Sequence, residues 1–350
     1  MSGTLLINNI LNAAAERRAS DVHLAAGTNP VIRVEGRLVT LTEQQVLKPD
    51  TLLVLAEILL SKSDLEVLNQ KREVVTIYSW ANRARYRVKA FYQKGYLALS
   101  LRIIPPYILS PKDLNIPLSI VQMLNCDQGL LIITGPYASG RTTTAASLLE
   151  TINQNIGWHI QTLEQPIEYL FVNNHAVVEQ REVGRDVPDF VTGLKDMRDD
   201  DVDVVYVSSF FEDGVGELVL ELAESGKLVI LVMDADSVIS AIDRFISHLP
   251  LEKRLWGQDL LAEVLIGVLS QRLLPRLTGG LTLAAEVLTM TSAVRSSIRD
   301  NNLRQLESIM QTSKEEGMIS LDKSLQQLIR VGEISPEEAK KNAINKEEFK

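Results

Sequence analysis

The segment Gly135-Pro136-Tyr137-Ala138-Ser139-Gly140-Arg141-Thr142 constrains this chain more than any other. The apolar run Leu130-Leu131-Ile132-Ile133 precedes it, and Thr143 to Leu149 continues it with helical spacing. The pattern predicts a buried strand, a glycine-bearing turn and a helix N-terminus in immediate succession. In such a turn the glycines let successive backbone N–H groups face inward around phosphate oxygens, and the helix dipole adds to the attraction. Gly135, Ala138, Ser139, Gly140, Arg141, Thr142 and Thr143 are therefore candidate nucleotide contacts, and the Thr142 hydroxyl is the candidate ligand for Mg²⁺. The competing reading is an ordinary glycine-rich turn before a helix; the strand, both glycines and the hydroxyl run favour the phosphate loop. The residue before Thr142 is normally lysine in these loops. Arg141 instead offers a wide planar fork, which does not place a compact charge between the outer phosphates. The loop thus points to nucleotide binding and puts hydrolysis in question.

A strand–loop–helix unit needs a sheet to sit in. From Leu118 the sequence alternates apolar strands and helices, at Leu130–Ile133, Thr142–Gln154, His159–Leu163, Val202–Val207, Gly216–Ser225 and Leu228–Met233. Continuous apolar strands separated by helices imply a mostly parallel sheet covered on both faces, an α/β fold. Beyond it, Ala241–Ile246, Leu260–Leu269 and three amphipathic segments to Ile344 read as mainly helical. Upstream, residues 4–18 have helical spacing. Short alternating strands follow, with a hairpin at Glu35-Gly36, then one amphipathic helix from about Leu52 to Gln70 and strands at Val74–Trp80, Arg85–Tyr92 and Leu97–Ile103. This is a small α+β domain. The expected organisation is an N-terminal domain over 1–104, a proline-pinned linker over 105–117, a nucleotide-binding domain over 118–290 and a helical region over 291–350. A length of 350 residues suffices for two cores.

Composition narrows the function classes. A net charge of −9 argues against a general nucleic-acid binder, which needs excess cations to neutralise phosphates. The single cysteine, Cys126, cannot form an internal disulfide, and is expected as a small buried apolar residue of a cytoplasmic protein. No apolar run approaches the ~20 residues that cross a bilayer, and the N-terminus does not read as a secretory signal. Direct membrane insertion is therefore not expected. His23, beside Asp21 on a strand, has no partner at ligand spacing and reads as structural. Arg85, Arg87 and Arg102 recur on alternating strands, either as a solvated face or as cations aimed at phosphates. The run Asp199-Asp200-Asp201-Val202-Asp203 reads as a solvated loop before a strand, with metal binding the disfavoured alternative.

Taken in order, several segments resemble the PilT-type retraction ATPases of bacterial type IV pili, within the wider secretion-ATPase superfamily. They are Ala19-Ser20-Asp21-Val22-His23-Leu24, Arg85 to Phe91, Glu164-Gln165-Pro166-Ile167-Glu168-Tyr169, Ser270 to Arg276, Ala293 to Arg299 and Gly317 to Asp322. The resemblance implies a PAS-like N-terminal domain, a RecA-like ATPase domain and a hexameric ring that binds ATP or ADP with Mg²⁺. It implies a ring docked on an inner-membrane platform protein, cytoplasmic and peripheral to the inner membrane at the pilus base. It makes Glu164 a candidate catalytic acid, Glu168 a second acid of the same box, and Arg85, Arg87 and Arg102 phosphate-reaching arginines.

The departures from that family fall on chemistry. Ser208-Ser209 ends a core strand where the family has Gly-Glu, so Ser209 stands in the position of the water-orienting carboxylate. Phe211 replaces an arginine, Gln165 an acid, and Lys227 and Asp234 the two histidines of a further box. A register shift that carries Glu212 into the site is the disfavoured alternative. Three functions follow: a nucleotide-binding, hydrolysis-impaired accessory or regulatory subunit, in a homo-hexamer or a mixed ring with an active PilT-type ATPase; an active hexameric motor; and a structural hexamer without nucleotide. The first is preferred, because the architectural segments persist while the chemical ones do not.

Overall fold

A computed structural model describes residues 3–34, 36–80, 83–313 and 316–349. The chain divides into two compact units, Met1–Tyr107 and Ile108–Lys350.

The first unit is built from α1 (Gly3–Glu16), β1 (Asp21–Ala25), β2 (Val31–Val34), β3 (Arg37–Thr40), α2 (Pro49–Leu59), α3 (Lys62–Lys71), β4 (Glu73–Trp80), β5 (Ala84–Gln93) and β6 (Tyr96–Ile104). Its strands form one antiparallel sheet in the order β3-β2-β1-β6-β5-β4. Leu6, Ile7, Ile10 and Leu11 of α1 and Leu52, Leu55 and Leu59 of α2 pack with Val22, Leu24, Val88 and Leu101 from the sheet. The single helix expected over Leu52–Gln70 is in fact two. Ser61 breaks it by accepting a bond from Asp64 N–H while the Asp64 carboxylate accepts one from Ser61 N–H. That capping box is a sequence signal the amphipathic spacing obscured. The turn expected at Glu35-Gly36 does join β2 to β3, with Glu35 itself outside the described residues.

The second unit begins with α4 (Leu118–Gln122) and alternates β7 (Gly129–Thr134), α5 (Arg141–Asn155), β8 (His159–Glu164), β9 (Val177–Glu182), α6 (Phe190–Asp199), β10 (Val204–Val207), α7 (Val215–Glu224) and β11 (Leu228–Val232). It continues through α8 (Val238–His248), α9 (Arg254–Val264), β12 (Leu265–Pro275) and β13 (Leu281–Thr289) to α10 (Ser292–Arg299), α11 (Gln305–Thr312), α12 (Leu321–Arg330) and α13 (Pro336–Asn342). The sheet order is β13-β12-β7-β11-β10-β8-β9, parallel except for β13. Alternation along each central strand feeds two cores. Leu130, Ile132, Val205, Val207, Val229 and Leu231 face α6 to α11. Leu131, Ile133, Val204, Tyr206, Leu228 and Ile230 face α4 and α5.

The expected α/β class and the helical cover on both faces are present. The stretch after Ala241 is mainly helical, as expected, but β12 and β13 interrupt it with a long antiparallel hairpin where a helix is expected over Leu260–Leu269. The reason lies in the run Leu260 to Leu269, where α9 passes into β12 at Val264/Leu265 with no proline and no glycine between them. A continuous apolar run does not distinguish a buried helix from a buried strand. β9 and α6 lie where the strand and helix alternation of the sequence shows no element. Cys126 is only partly buried, not fully as expected.

Lys227, just before β11, is 9% exposed, and its ammonium donates to the carbonyls of Asp200 (3.0 Å) and Val202 (3.1 Å). It therefore ties the Asp199–Asp203 loop to the entry edge of the sheet. Lys227→Met should destabilise the protein by about 1–3 kcal/mol, since both carbonyls lose their donor, and should leave nucleotide affinity unchanged. Urea unfolding alongside nucleotide titration checks both.

Candidate phosphate-binding site

β7 ends at the exit edge of the parallel sheet, and the chain turns there through Gly135–Gly140 into α5. Gly135 has φ +152° and Gly140 has φ +89°. A Cβ on Gly135 would collide with the Gln271 carbonyl and with Ser139, so the close approach demands glycine. Ala138 also takes a left-handed φ, +65°. The strand next to β7 braces the turn, because Gln271 of β12 donates through Nε2 to the Ser139 carbonyl at 2.7 Å. The first-turn N–H groups of α5, from Arg141 to Thr143, have no partners within the helix and lie where an anion would meet them. Ser139 is 2% exposed, and its Oγ has no hydrogen-bond partner. An orphaned hydroxyl beside a glycine cradle is what a bound phosphate would satisfy. A cleft of about 280 Å³ opens alongside, lined by Tyr137, Ala138, Ser139, Arg272, Leu273 and Asn342 among others. Nothing local in the sequence places β12, and with it Gln271 and Arg272, beside the loop.

The Arg141 guanidinium is engaged by the segment that follows β11. Its Nη1 donates to the Met233 carbonyl at 2.7 Å and pairs with the Asp234 carboxylate, just past the end of β11. Two of the substituted positions therefore bind each other. Lys227 precedes the other end of the same five-residue strand, which is itself about 16 Å long, and takes no part in the loop.

The acidic box lies beneath α5. Glu164, the last residue of β8, is 3% exposed, and its Oε1 accepts from Thr162 (2.7 Å) and from Gln180 of β9 (3.0 Å). Burial pushes its carboxyl up to about 7, against those two hydrogen bonds and with the nearby Glu168 charge adding to the rise. Tyr169 bonds the Thr143 hydroxyl at 3.0 Å, which couples the box to the first turn of α5. The Tyr206 hydroxyl is fully buried without a partner, and burial raises it well above its ordinary range, with Glu164 and Glu168 adding and Arg141 opposing. Gln165 is exposed, and its N–H donates to Ser208 Oγ at 3.2 Å. Ser209 follows β10, partly buried, at the exit edge.

Glu212 is committed elsewhere. Its Oε2 accepts from the Phe190 N–H at 3.1 Å, at the start of α6. Phe211 is exposed while Phe210 stacks on Phe245 with centroids 4.8 Å apart. Asp203 accepts from His159 N–H (2.8 Å), so the aspartate run terminates strands at the entry edge, remote from the loop. Among the described residues no cluster of three or more acidic, histidine or cysteine side chains is placed to hold a metal. In the first unit, Arg87 and Arg102 are cross-strand neighbours, with Arg85 two residues along the same face. Arg102 donates from Nε to the buried Asp21 at 2.8 Å. His23 bonds Ser100 (3.2 Å), and burial lowers its pKa, which suits a structural imidazole.

Residues 111–281 match the type II/IV secretion system protein family. Over 343 residues the chain is 32% identical to the type IV pilus retraction ATPase PilT of Pseudomonas aeruginosa, covering 98% of this chain and 99% of that one. The chain belongs to the PilT family. A twitching motility protein of Neisseria gonorrhoeae is 30% identical over 97% of this chain and 91% of its own length. A solved structure of the pilus retraction motor PilT with bound ADP superposes with a TM-score of 0.84 at 34% identity, covering 97% of each chain. The PilT-like fold, an N-terminal sheet domain followed by a parallel-sheet ATPase domain, is therefore shared along essentially the whole length. No helix among the described residues is long and apolar enough to cross a membrane.

Glu164 gives a pH-dependent test. Its folded pKa, about 7, lies above the ordinary 4.5, so the folded state holds a proton that the unfolded chain releases between those values. Its contribution to stability therefore falls as pH rises from about 4.5 to about 7 and is constant above. Glu164→Gln keeps the acceptor for Thr162 and Gln180 and removes the ionisation. It should be more stable than the parent above pH 7, by at most on the order of 3 kcal/mol, and the gap should close toward pH 4.5. Glu286, buried and also pushed up to about 7, leaves a residual slope in the variant. Denaturant unfolding across that range reads the difference.

Proposed function

We propose that this PilT-family chain binds an adenine nucleotide through the Gly135–Thr143 loop, hydrolyses it poorly, and serves as an accessory or regulatory subunit of type IV pilus retraction machinery. The observation that carries the reading is the pairing of Arg141 with Asp234, which commits the loop's cation to the end of β11. Phosphoryl transfer needs cations on the charge that develops in the transition state and a group that orients water. Arg141 is withheld from the first task, and Ser209 brings a hydroxyl to the second. The orphaned Ser139 hydroxyl argues for a ligand in the cradle and against a purely structural ring. A nucleotide would bring Mg²⁺ with it, since that ion is usually held by few protein oxygens and by the phosphates. Thr142 is the oxygen donor of this chain suited to it. In this reading the subunits form a homo-hexamer or a mixed ring with an active PilT-type ATPase, on the cytoplasmic side of an inner-membrane platform protein, with Arg85, Arg87 and Arg102 reaching toward phosphates.

One observation favours the second reading, an active hexameric retraction motor. Glu164 is retained under the loop with a pKa near neutrality, the range suited to a general base. Purified protein separates the two. Under the preferred reading, ADP or ATP raises the melting temperature, as mass action requires of a ligand of the folded state, while turnover stays at background. Robust hydrolysis abolished by Gly140→Val or Thr142→Ala would establish the motor instead. Arg141→Lys combined with Ser209→Glu should restore measurable phosphate release, and a null result there would place the defect outside these two positions.

A further inference from the structure

The segment Met233–Ser237 that carries Asp234 is held from every side. The Met233 N–H donates to Ile133 O (3.1 Å), and Thr134 Oγ1 donates to the Ala235 carbonyl (3.1 Å). Arg244 donates to the Asp234 carbonyl, Arg272 to the Asp236 carbonyl (3.4 Å), and the buried Glu286 accepts from Val238 N–H at 2.9 Å. Asp234 is thus a carboxylate on fixed backbone, two residues beyond the last residue of β11 and beside the strand that feeds the loop. Arg141 meets it with its side chain 15% exposed and with the Met233 carbonyl as a second acceptor. A partly buried, charge-assisted contact with two acceptors is a strong competitor for a guanidinium.

The geometry points to Asp234 as a latch that holds Arg141 off the phosphate cradle, so that the site does not favour a nucleoside triphosphate over a diphosphate. The inference rests on the nucleotide-binding reading above and adds the specificity of that site. Backbone N–H groups of the loop and the α5 N-terminus serve the inner phosphates whatever Arg141 does. The side chain at this position is the one that reaches the outer phosphates in loops of this kind. With the guanidinium held by Asp234 and Met233, the terminal phosphate of a triphosphate gains no cation from the loop. Removing the Asp234 charge frees it, and the gain falls on the triphosphate. Asp234 is a positioning residue here, acting through Arg141.

Equilibrium titration of the full chain with Mg-ADP and with a non-hydrolysable Mg-ATP analogue tests this, using the parent, Asp234→Asn, Arg141→Ala and the double variant. The parent should bind the two ligands within about threefold of each other. Asp234→Asn should tighten the triphosphate analogue by about tenfold, the scale of one charge-assisted hydrogen bond, and ADP by less than about threefold. In the Arg141→Ala background the same substitution should have little effect, which separates release of Arg141 from simple loss of a repelling charge. Equal tightening of both ligands, or equal tightening with and without Arg141, overturns the latch while leaving nucleotide binding intact. Failure of all four proteins to bind either ligand removes the nucleotide reading itself, and the latch with it. Melting temperatures without nucleotide identify any variant that does not fold, and Asp234→Ser then supplies the same loss of charge by a second route.

Discussion

Burial of β7 on both faces is the constraint from which the rest follows. All six of its residues are buried, with β11 on one side and β12 on the other. A strand so enclosed has no freedom in where it ends, so the turn that leaves it is set against its neighbours to within a hydrogen bond. Gln271 of β12 then holds the Ser139 carbonyl, and Gly135 passes a backbone carbonyl at a distance that no side chain tolerates. The turn from Gly135 to Gly140 owes its shape to the sheet as much as to its own glycines.

The same enclosure explains why the substituted positions do not act as a scattered set of losses. β11 lies beside β7, and the chain beyond it brings Asp234 to Arg141. An arginine replaces the usual lysine at one position and an aspartate stands where a histidine is expected at another, and the two neutralise each other. Lys227, which the family pattern groups with Asp234, belongs to the opposite edge and binds the carbonyls of the loop before β10. One strand therefore separates a change that meets the first residue of α5 from one that ties the far edge of the sheet.

Under α5 the balance is between burial and hydrogen bonding. Glu164 receives two side-chain donors, yet desolvation outweighs them and its carboxyl titrates near neutrality. Tyr206, close enough to feel that charge, has its hydroxyl sealed in without a partner. The acid box is thus an apolar pocket with a few polar groups, and Tyr169 joins it to the loop through Thr143.

Local pattern was enough to determine the strand, turn and helix around Gly135–Thr142, because glycine, hydroxyl and apolar spacing all act within a dozen residues. It was enough for the α/β class and, with the ordered family segments, for membership of the PilT family. It did not determine β12 and β13, since the apolar run from Leu260 reads equally as helix or strand until a sheet edge is there to receive it. Nor did it disclose that Glu212 caps α6 or that Gln271 braces the loop. Residues 93 apart in sequence, Arg141 and Asp234, meet only because a parallel sheet sets the end of one strand beside the end of the next. The chain's order records which charges are present, and packing alone decides which of them are spent on each other.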